Sequence, residues 1–261
     1  LFRSDLLMAS LPAGGLVMIN DVTRNLATLL VTGPKAPAIL ADMTGQSMTH
    51  DDFAWLSHRK IDLAGCQANV IRVSFAGEAG FEIHCQMDDV VAVYDAVMVA
   101  GAAHQLRPFG MLALDSMRLE KGYRSWKSDL TSDYTMFESG LGRWVNFNKD
   151  DFVGRAALQA EKQAGSQGEF VTLTLDDPDD DAPFGEAVYL SNVSIDGADA
   201  GLVVSAGYGH RVGASIAMAV VDRQALANAK DISVLVLGRK RRATVVEGYV
   251  LYDPENAKMK V

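Results

Sequence analysis

Between two bulky apolar residues, in a stretch that otherwise reads as strand, the chain places a carboxylate. The stretch is FAGEAGFEIHC (Phe75–Cys85), which reads as strand, glycine turn, strand, with Glu82 between Phe81 and Ile83. A strand spends a central position on an acid when that position faces water or a ligand. A carboxylate there can accept two N–H donors from a planar, guanidine-like edge of the kind that pterins, purines and arginine present. A solvent-facing strand position explains the same spacing. Phe75 precedes Glu82 by seven residues, on what reads as the other arm of the hairpin. It could stack on the same flat ring, or fill a core.

Three further clusters carry chemistry-bearing side chains. LALDSMRLEKGYRSWKSDL holds Asp115, Arg118, Glu120, Lys121 and Arg124. Asp115 and Arg118 lie at i, i+3 and can pair along a helix. Arg118 could hold an anion, or take part in an ion-pair network that fixes the helix to the loop after it. GYGHRVGASIAMA (Gly207–Ala219) sets glycines around Tyr208, His210 and Arg211. It lacks the Lys-Ser/Thr pair of a phosphate-binding loop, and reads either as a glycine turn or as a loop lying against a ligand cleft. RKRR (Arg239–Arg242) reads as a solvated hairpin end, with steering of an anionic ligand tail as the alternative. No GxSxG motif is present, no GxGxxG opens a helix, and His50, His58, His84, His104 and His210 are too scattered to suggest a metal site.

The elements that must position these residues follow from periodicity. Residues 1–25 read as a connector containing a short strand, LVMINDVT. LATLLVTGP is a buried strand closed by Gly-Pro, and KAPAILADMTG is a short helix stopped by Gly45. CQANVIRVSF and GFEIHC pair as strands across GEAG, and the run from Asp88 to about His104 is a helix. Strand–helix–strand–strand–helix predicts an α+β layer. Phe109–Tyr123 is helical up to Gly122, Arg124–Leu141 is loop, and DFVGRAALQAEKQAG is a helix ending at Gly165. The composition then changes. An acidic loop, Asp176–Glu186, precedes the β-like runs AVYLS, GLVVSAGYG, SIAMAVV, DISVLVLG and RATVVEGYVLY, which predict a small C-terminal β-barrel. The expected domains are residues 1–164 and 165–261.

Composition narrows the function classes. The chain has 261 residues, 49% of them hydrophobic, and a formal net charge of −9. That length suffices for a core without metal or disulfide staples, and the acidity sets nucleic acid aside as a partner. Cys66 and Cys85 have neither zinc-ligand nor disulfide-framework spacing, which points to a reducing, cytoplasmic compartment. No apolar run reaches the ~18–20 residues of a membrane span, and no signal peptide is visible. The chain begins at Leu1 rather than at methionine, which reads as a fragment or a processed product.

In combination, LVTGPKAPAIL, IRVSFAGEAGFEIHC, FGMLALDSMRLEKGY and GYGHRVGASIAMA, in this order, resemble the glycine-cleavage T-protein (aminomethyltransferase) family. The resemblance runs from about Leu26 to the C-terminus. SMRLEKGYRSWKSDL through FVGRAAL, and the ending LYDPENAKMKV, look like the folate domain of dimethylglycine and sarcosine dehydrogenases or oxidases. It implies a folate-binding α/β layer followed by a small barrel, with tetrahydrofolate as cofactor. It further implies a methylated amine as one-carbon donor, and FAD only in a separate upstream flavin domain or subunit. In such enzymes N5 of the folate attacks an iminium carbon and N10 closes the ring. The family's pterin-holding acid falls at Glu82 and its folate-contacting aromatic at Phe75, where tyrosine is common; Tyr208 and Arg118 are weaker binding candidates. T-proteins proper often carry an arginine where this chain has Leu114, which favours the dehydrogenase-linked subtype. The family's proposed catalytic aspartate falls upstream of the matching segments, so no catalytic acid or base is assigned. A free-standing aminomethyltransferase or demethylase, and a truncated folate-binding protein without turnover, are the alternatives.

Overall fold

A computed structural model describes residues 2–12, 14–180, 182, 187–191 and 199–261. The chain divides into two compact units, one of residues 1–73 with 80–107, the other of residues 74–79 with 108–261.

The first unit opens with α1 (Phe2–Ala9), followed by an irregular stretch. The strand expected at LVMINDVT does not form: Leu16, Val17, Met18 and Val22 are exposed, and no strand among the described residues supplies ladder partners. β1 (Leu26–Thr32) ends at Gly33, and α2 (Ala36–Thr44) stops where Gly45 takes a left-handed conformation at φ 68°. β2 (His58–Leu63), β3 (Cys66–Arg72) and β4 (Gly80–Gln86) follow, and α3 (Val90–Ala102) closes the unit. The antiparallel sheet runs β1–β4–β3–β2. β2 was not anticipated. HRKIDL sends only Ile61 and Leu63 into the core and is charged elsewhere, so on sequence it resembles a loop. One sheet face supplies Val31, Ile61, Leu63, Ala68, Val70, Phe81, Ile83 and Cys85 to a core shared with Leu40, Phe53, Val93 and Val97.

The second unit begins with α4 (Met111–Glu120), ending one residue before Lys121 and Gly122, and α5 (Arg155–Ala164), capped by Gly165. The six strands after it are β5 (Gly168–Leu175), β6 (Ala187–Ser191), β7 (Asp199–Gly209), β8 (Ala214–Asp222), β9 (Asp231–Val236) and β10 (Arg239–Val245), with the short helix α6 (Arg223–Ala227) between β8 and β9. They close an antiparallel barrel in the order β10–β5–β8–β7–β6–β9. Fold class is therefore α+β with a C-terminal barrel. Ala217, Ala219 and Val221 of β8 point into the barrel with Leu173, Val203 and Val234. The alternate residues Ile216, Met218 and Val220 pack outward with Leu119 of α4. Burial on both faces is why β8 reads as a continuous apolar run. β5 is buried at most positions for the same reason, although Val171–Leu175 alternates apolar and polar residues in sequence, a readable strand signal. The basic run Arg239–Arg242 lies at a hairpin end: it forms the first four residues of β10, directly after the Leu237–Gly238 turn, paired with Ser233–Val236 and mostly exposed. Much of the acidic loop expected at Asp176–Glu186 lies outside the described residues.

Candidate functional site

Glu82 is central in β4, and the strand's alternation decides its direction. Phe81, Ile83 and Cys85 are buried in the core, so Glu82, His84 and Gln86 lie on the opposite face. The register places Glu82 between Leu30 of β1 and Ile71 of β3. Its side chain is 39% exposed, flanked by two partly buried aliphatic residues. Its Oε2 lies 3.2 Å from Nε2 of His84, whose Nδ1 lies 3.1 Å from the Thr28 hydroxyl. No hydrogen bond among the described residues occupies Glu82 Oε1. In the same sheet Arg72 is fully buried, its Nη1 donates to the Met48 carbonyl at 2.6 Å, and its guanidinium lies 5.3 Å from the Phe81 ring centroid. A half-exposed carboxylate on an ordered strand, between two apolar neighbours, can grip the polar edge of a flat ring while the neighbours meet its face.

The other candidates belong to the second unit. Phe75 is not on the hairpin arm: β3 ends at Arg72, and Phe75 lies in the connecting turn Ser74–Ala79. There it stacks on Tyr123 with ring centroids 6.0 Å apart and planes 10° apart. Arg118 is buried. Its Nε donates to Asp115 at 2.6 Å, its Nη1 to Asp129 at 2.6 Å and to the Tyr123 carbonyl at 3.1 Å, and its Nη2 to Ser205 at 2.8 Å. Those bonds tie α4 to the loop after it and to β7. Tyr208 is partly exposed near the end of β7; its carbonyl accepts a bond from the Ser116 hydroxyl at 2.6 Å, and its ring meets His210 edge-on at 5.0 Å. Tyr208 and Arg118 are thus joined through α4 and β7. A concavity of about 630 Å³ in this unit is lined by Ala164, Gly165, Gln167, Asp222, Arg223 and Ala227, and includes none of the candidates.

Two groupings of these residues are not readable as such from the sequence motifs. His84 and Thr28 share the face of Glu82, and only the i+2 spacing of His84 from Glu82 in a strand hints at it. The second group centres on Arg211. Its backbone N–H and its Nε donate to Glu120, its Nη1 reaches Glu78 at 3.3 Å, and its Nη2 donates to the carbonyls of Ala76 and Met117. The guanidinium lies 3.8 Å from the Tyr252 ring centroid, and the Tyr252 hydroxyl donates to Glu78 at 2.5 Å. Burial, and next the hydrogen bond to Glu78, raise the Tyr252 phenol above its ordinary pKa. Lys121, held by Asp253 and the Tyr252 carbonyl, has its ammonium lowered by burial. The hydrogen-bond partners of Arg211 lie 91–135 residues away along the chain, and no local pattern announces them. The network fixes the Ser74–Ala79 turn to α4 and to the C-terminal segment. Among the described residues no cluster of His, Cys, Asp or Glu could hold a metal ion.

The sequence model of the GCVT N-terminal domain matches residues 4–149, and that of the glycine cleavage T-protein C-terminal barrel domain matches residues 169–253. The chain belongs to the glycine-cleavage T-protein family. Human mitochondrial dimethylglycine dehydrogenase is 32% identical over 240 residues, 91% of this chain and 27% of that protein. Human mitochondrial sarcosine dehydrogenase is 35% identical over 158 residues, 60% of this chain and 17% of that protein. An aminomethyltransferase of Caldanaerobacter subterraneus subsp. tengcongensis is 28% identical over 88% of this chain and 60% of that protein. The crystal structure of glycine cleavage system aminomethyltransferase T from Bartonella henselae superposes with a TM-score of 0.72 at 23% identity, covering 87% of this chain and 60% of that one; it shares the fold. The chain thus spans about a quarter of the length of the dimethylglycine dehydrogenase it matches. Among the described residues no helix is long and apolar enough to cross a membrane.

Proposed function

We propose that this T-protein-family chain is a tetrahydrofolate-dependent one-carbon transfer domain of a dimethylglycine/sarcosine dehydrogenase-like protein, which captures an N-methyl-derived carbon as 5,10-methylene-tetrahydrofolate. The observation that carries the reading is the direction of Glu82: away from the core, half-exposed, between Leu30 and Ile71, with no hydrogen bond to Oε1 among the described residues. That arrangement fits a pterin, whose edge presents N–H donors and whose faces are apolar. When bound, the folate supplies the nitrogen nucleophiles that take up the one-carbon unit.

The chain's own residues would bind and orient. Glu82 accepts from the pterin edge and sets its direction. Phe75 follows from the family motif as a folate contact, keeping an aromatic face without the hydroxyl of the more common tyrosine. Arg118, committed to Asp129 and Ser205, supports by holding α4 and its loop in place, and Tyr208 is supported in turn by Ser116. Positioning of this kind is worth up to about 7–11 kcal/mol in favourable cases. The methylated amine donor and a flavin domain or subunit that oxidises it belong to the longer protein of which this chain resembles one part. A free-standing aminomethyltransferase is the second reading, favoured by the match over 88% of this chain to such an enzyme; Leu114 in place of the arginine common in T-proteins weighs for the first.

The test is isothermal titration of the chain with 5-formyl-tetrahydrofolate beside Glu82→Gln. The wild type is expected to bind, and Glu82→Gln to lose about 1–3 kcal/mol, the worth of a charge-assisted bond. Equal affinities would remove Glu82 from the site, and a wild type that does not bind would overturn the folate reading of this chain.

A further inference from the structure

On the outer face of the first unit's sheet, three polar side chains from two strands form a continuous chain. Thr28 of β1 is directly opposite His84 of β4, and its Oγ1 lies 3.1 Å from His84 Nδ1. His84 Nε2 lies 3.2 Å from Glu82 Oε2. The chemistry of the three groups sets the direction of the bonds. An ionised carboxylate only accepts, so the proton between His84 and Glu82 is on Nε2. In the neutral imidazole Nδ1 then accepts, and the threonine hydroxyl, able to donate or accept, donates to it. The order Thr28 Oγ1–H to His84 Nδ1, then His84 Nε2–H to Glu82 Oε2, satisfies every member with one tautomer.

From this we infer that His84 is a positioning residue for Glu82, and that Thr28 completes the chain by donating to Nδ1 of the tautomer that the carboxylate selects. Glu82 alone would be a flexible carboxylate, 39% exposed, with several rotamers open to it. With Oε2 held by His84 fewer carboxylate orientations remain, and Oε1 is left for a ligand donor. The inference rests on the proposed folate reading for its consequence, while the hydrogen-bond chain itself does not depend on it. A core role for His84 does not account for the arrangement, because Ile83 and Cys85 on either side of it supply the core and His84 faces away.

Two readouts test it. The first needs no ligand: long-range ¹H–¹⁵N correlation of the imidazoles at pH 8, with His84 assigned by its loss in His84→Gln. His84 is expected as the Nε2–H tautomer in both the wild type and Thr28→Val, with its Nδ1 resonance moved in Thr28→Val by loss of the hydroxyl donor. A His84 signal that is Nδ1–H in the wild type, or unmoved by Thr28→Val, overturns the chain. The second is titration with 5-formyl-tetrahydrofolate. His84→Ala is expected to weaken binding about 5- to 10-fold, the loss of one partly exposed charge-assisted bond. His84→Gln, whose amide can still donate, should recover most of that loss, and His84→Ala should have no further effect in a Glu82→Gln background. A urea midpoint unchanged by His84→Ala separates positioning from unfolding. If Glu82→Gln weakens binding while His84→Ala does not, or if the two losses add fully, the positioning role is refuted. If Glu82→Gln has no effect, the folate reading fails instead, and the imidazole spectrum alone decides the chain.

Discussion

Replacing Arg118 by leucine should be among the most damaging single substitutions in the second unit, and its cost can be worked from the contacts. The guanidinium is 3% exposed and faces Asp129, which is 0% exposed, at 2.6 Å. Leucine keeps most of the apolar stem but leaves the Asp129 carboxylate buried without its cation; its remaining bond is from the Ser125 backbone N–H at 2.6 Å. Breaking a buried pair in this way costs about 3–5 kcal/mol. The lost bond to Ser205 adds about 1 kcal/mol. The pair with Asp115, whose side chain is 48% exposed, contributes at most about 0.5 kcal/mol. With the leucine's own burial offsetting part, the expected loss is about 4 kcal/mol, or roughly a 2 M fall in the urea midpoint at an m-value of about 2 kcal/mol/M. Urea unfolding followed by far-ultraviolet circular dichroism measures it. The decisive control is Arg118→Leu combined with Asp129→Asn: with the stranded charge removed, the double variant should recover about 1–3 kcal/mol of the loss. A single-variant loss below about 1 kcal/mol, or a double variant less stable than Arg118→Leu, would refute the view that this pair ties α4 to its loop.

Two further outcomes follow from the same unit. Gly122 stands at φ 69°, and a Cβ there would meet the Tyr249 carbonyl oxygen at 2.4 Å, so Gly122→Ala should cost about 2 kcal/mol or more through backbone strain and displacement of that carbonyl, read as a lowered urea midpoint. Burial raises the phenols of Tyr123 and Tyr252 above the ordinary tyrosine value, with the Glu78 bond adding to it at Tyr252. The folded state then holds these protons after the unfolded state has released them. Their stabilising contribution is complete below about pH 10 and is lost as the pH climbs through their raised values. Absorbance titration at 295 nm should show late-ionising tyrosines, one fewer in Tyr252→Phe; an unchanged late phase in that variant would contradict the placement.

The elements that rest on local spacing were legible in the sequence. β1, α2, β3, β4, α3 and α4 follow from apolar periods of 2 and 3.6 with glycine stops at Gly33, Gly45 and Gly122, because the rules that produce them act within a few residues. So did the question posed by Glu82, since a charge between Phe81 and Ile83 in a strand can only face away from the core. What spacing could not decide was partner choice. β2 escapes local spacing because it is polar or charged at four of six positions, and only the sheet it joins makes it a strand, whereas the alternating Val171–Leu175 of β5 carried a readable strand signal. LVMINDVT shows the converse: a strand-like pattern stays irregular where no strand among the described residues pairs with it. Arg118 allowed two readings on sequence, and Asp129, 11 residues on, and Ser205, 87 residues on, commit it to structural bonds. Arg211 drew little notice in its glycine turn, yet it joins Glu78, Glu120 and Tyr252. Hydrogen-bond geometry is set by positions in space, and a barrel and a sheet bring together residues that the chain keeps a hundred positions apart.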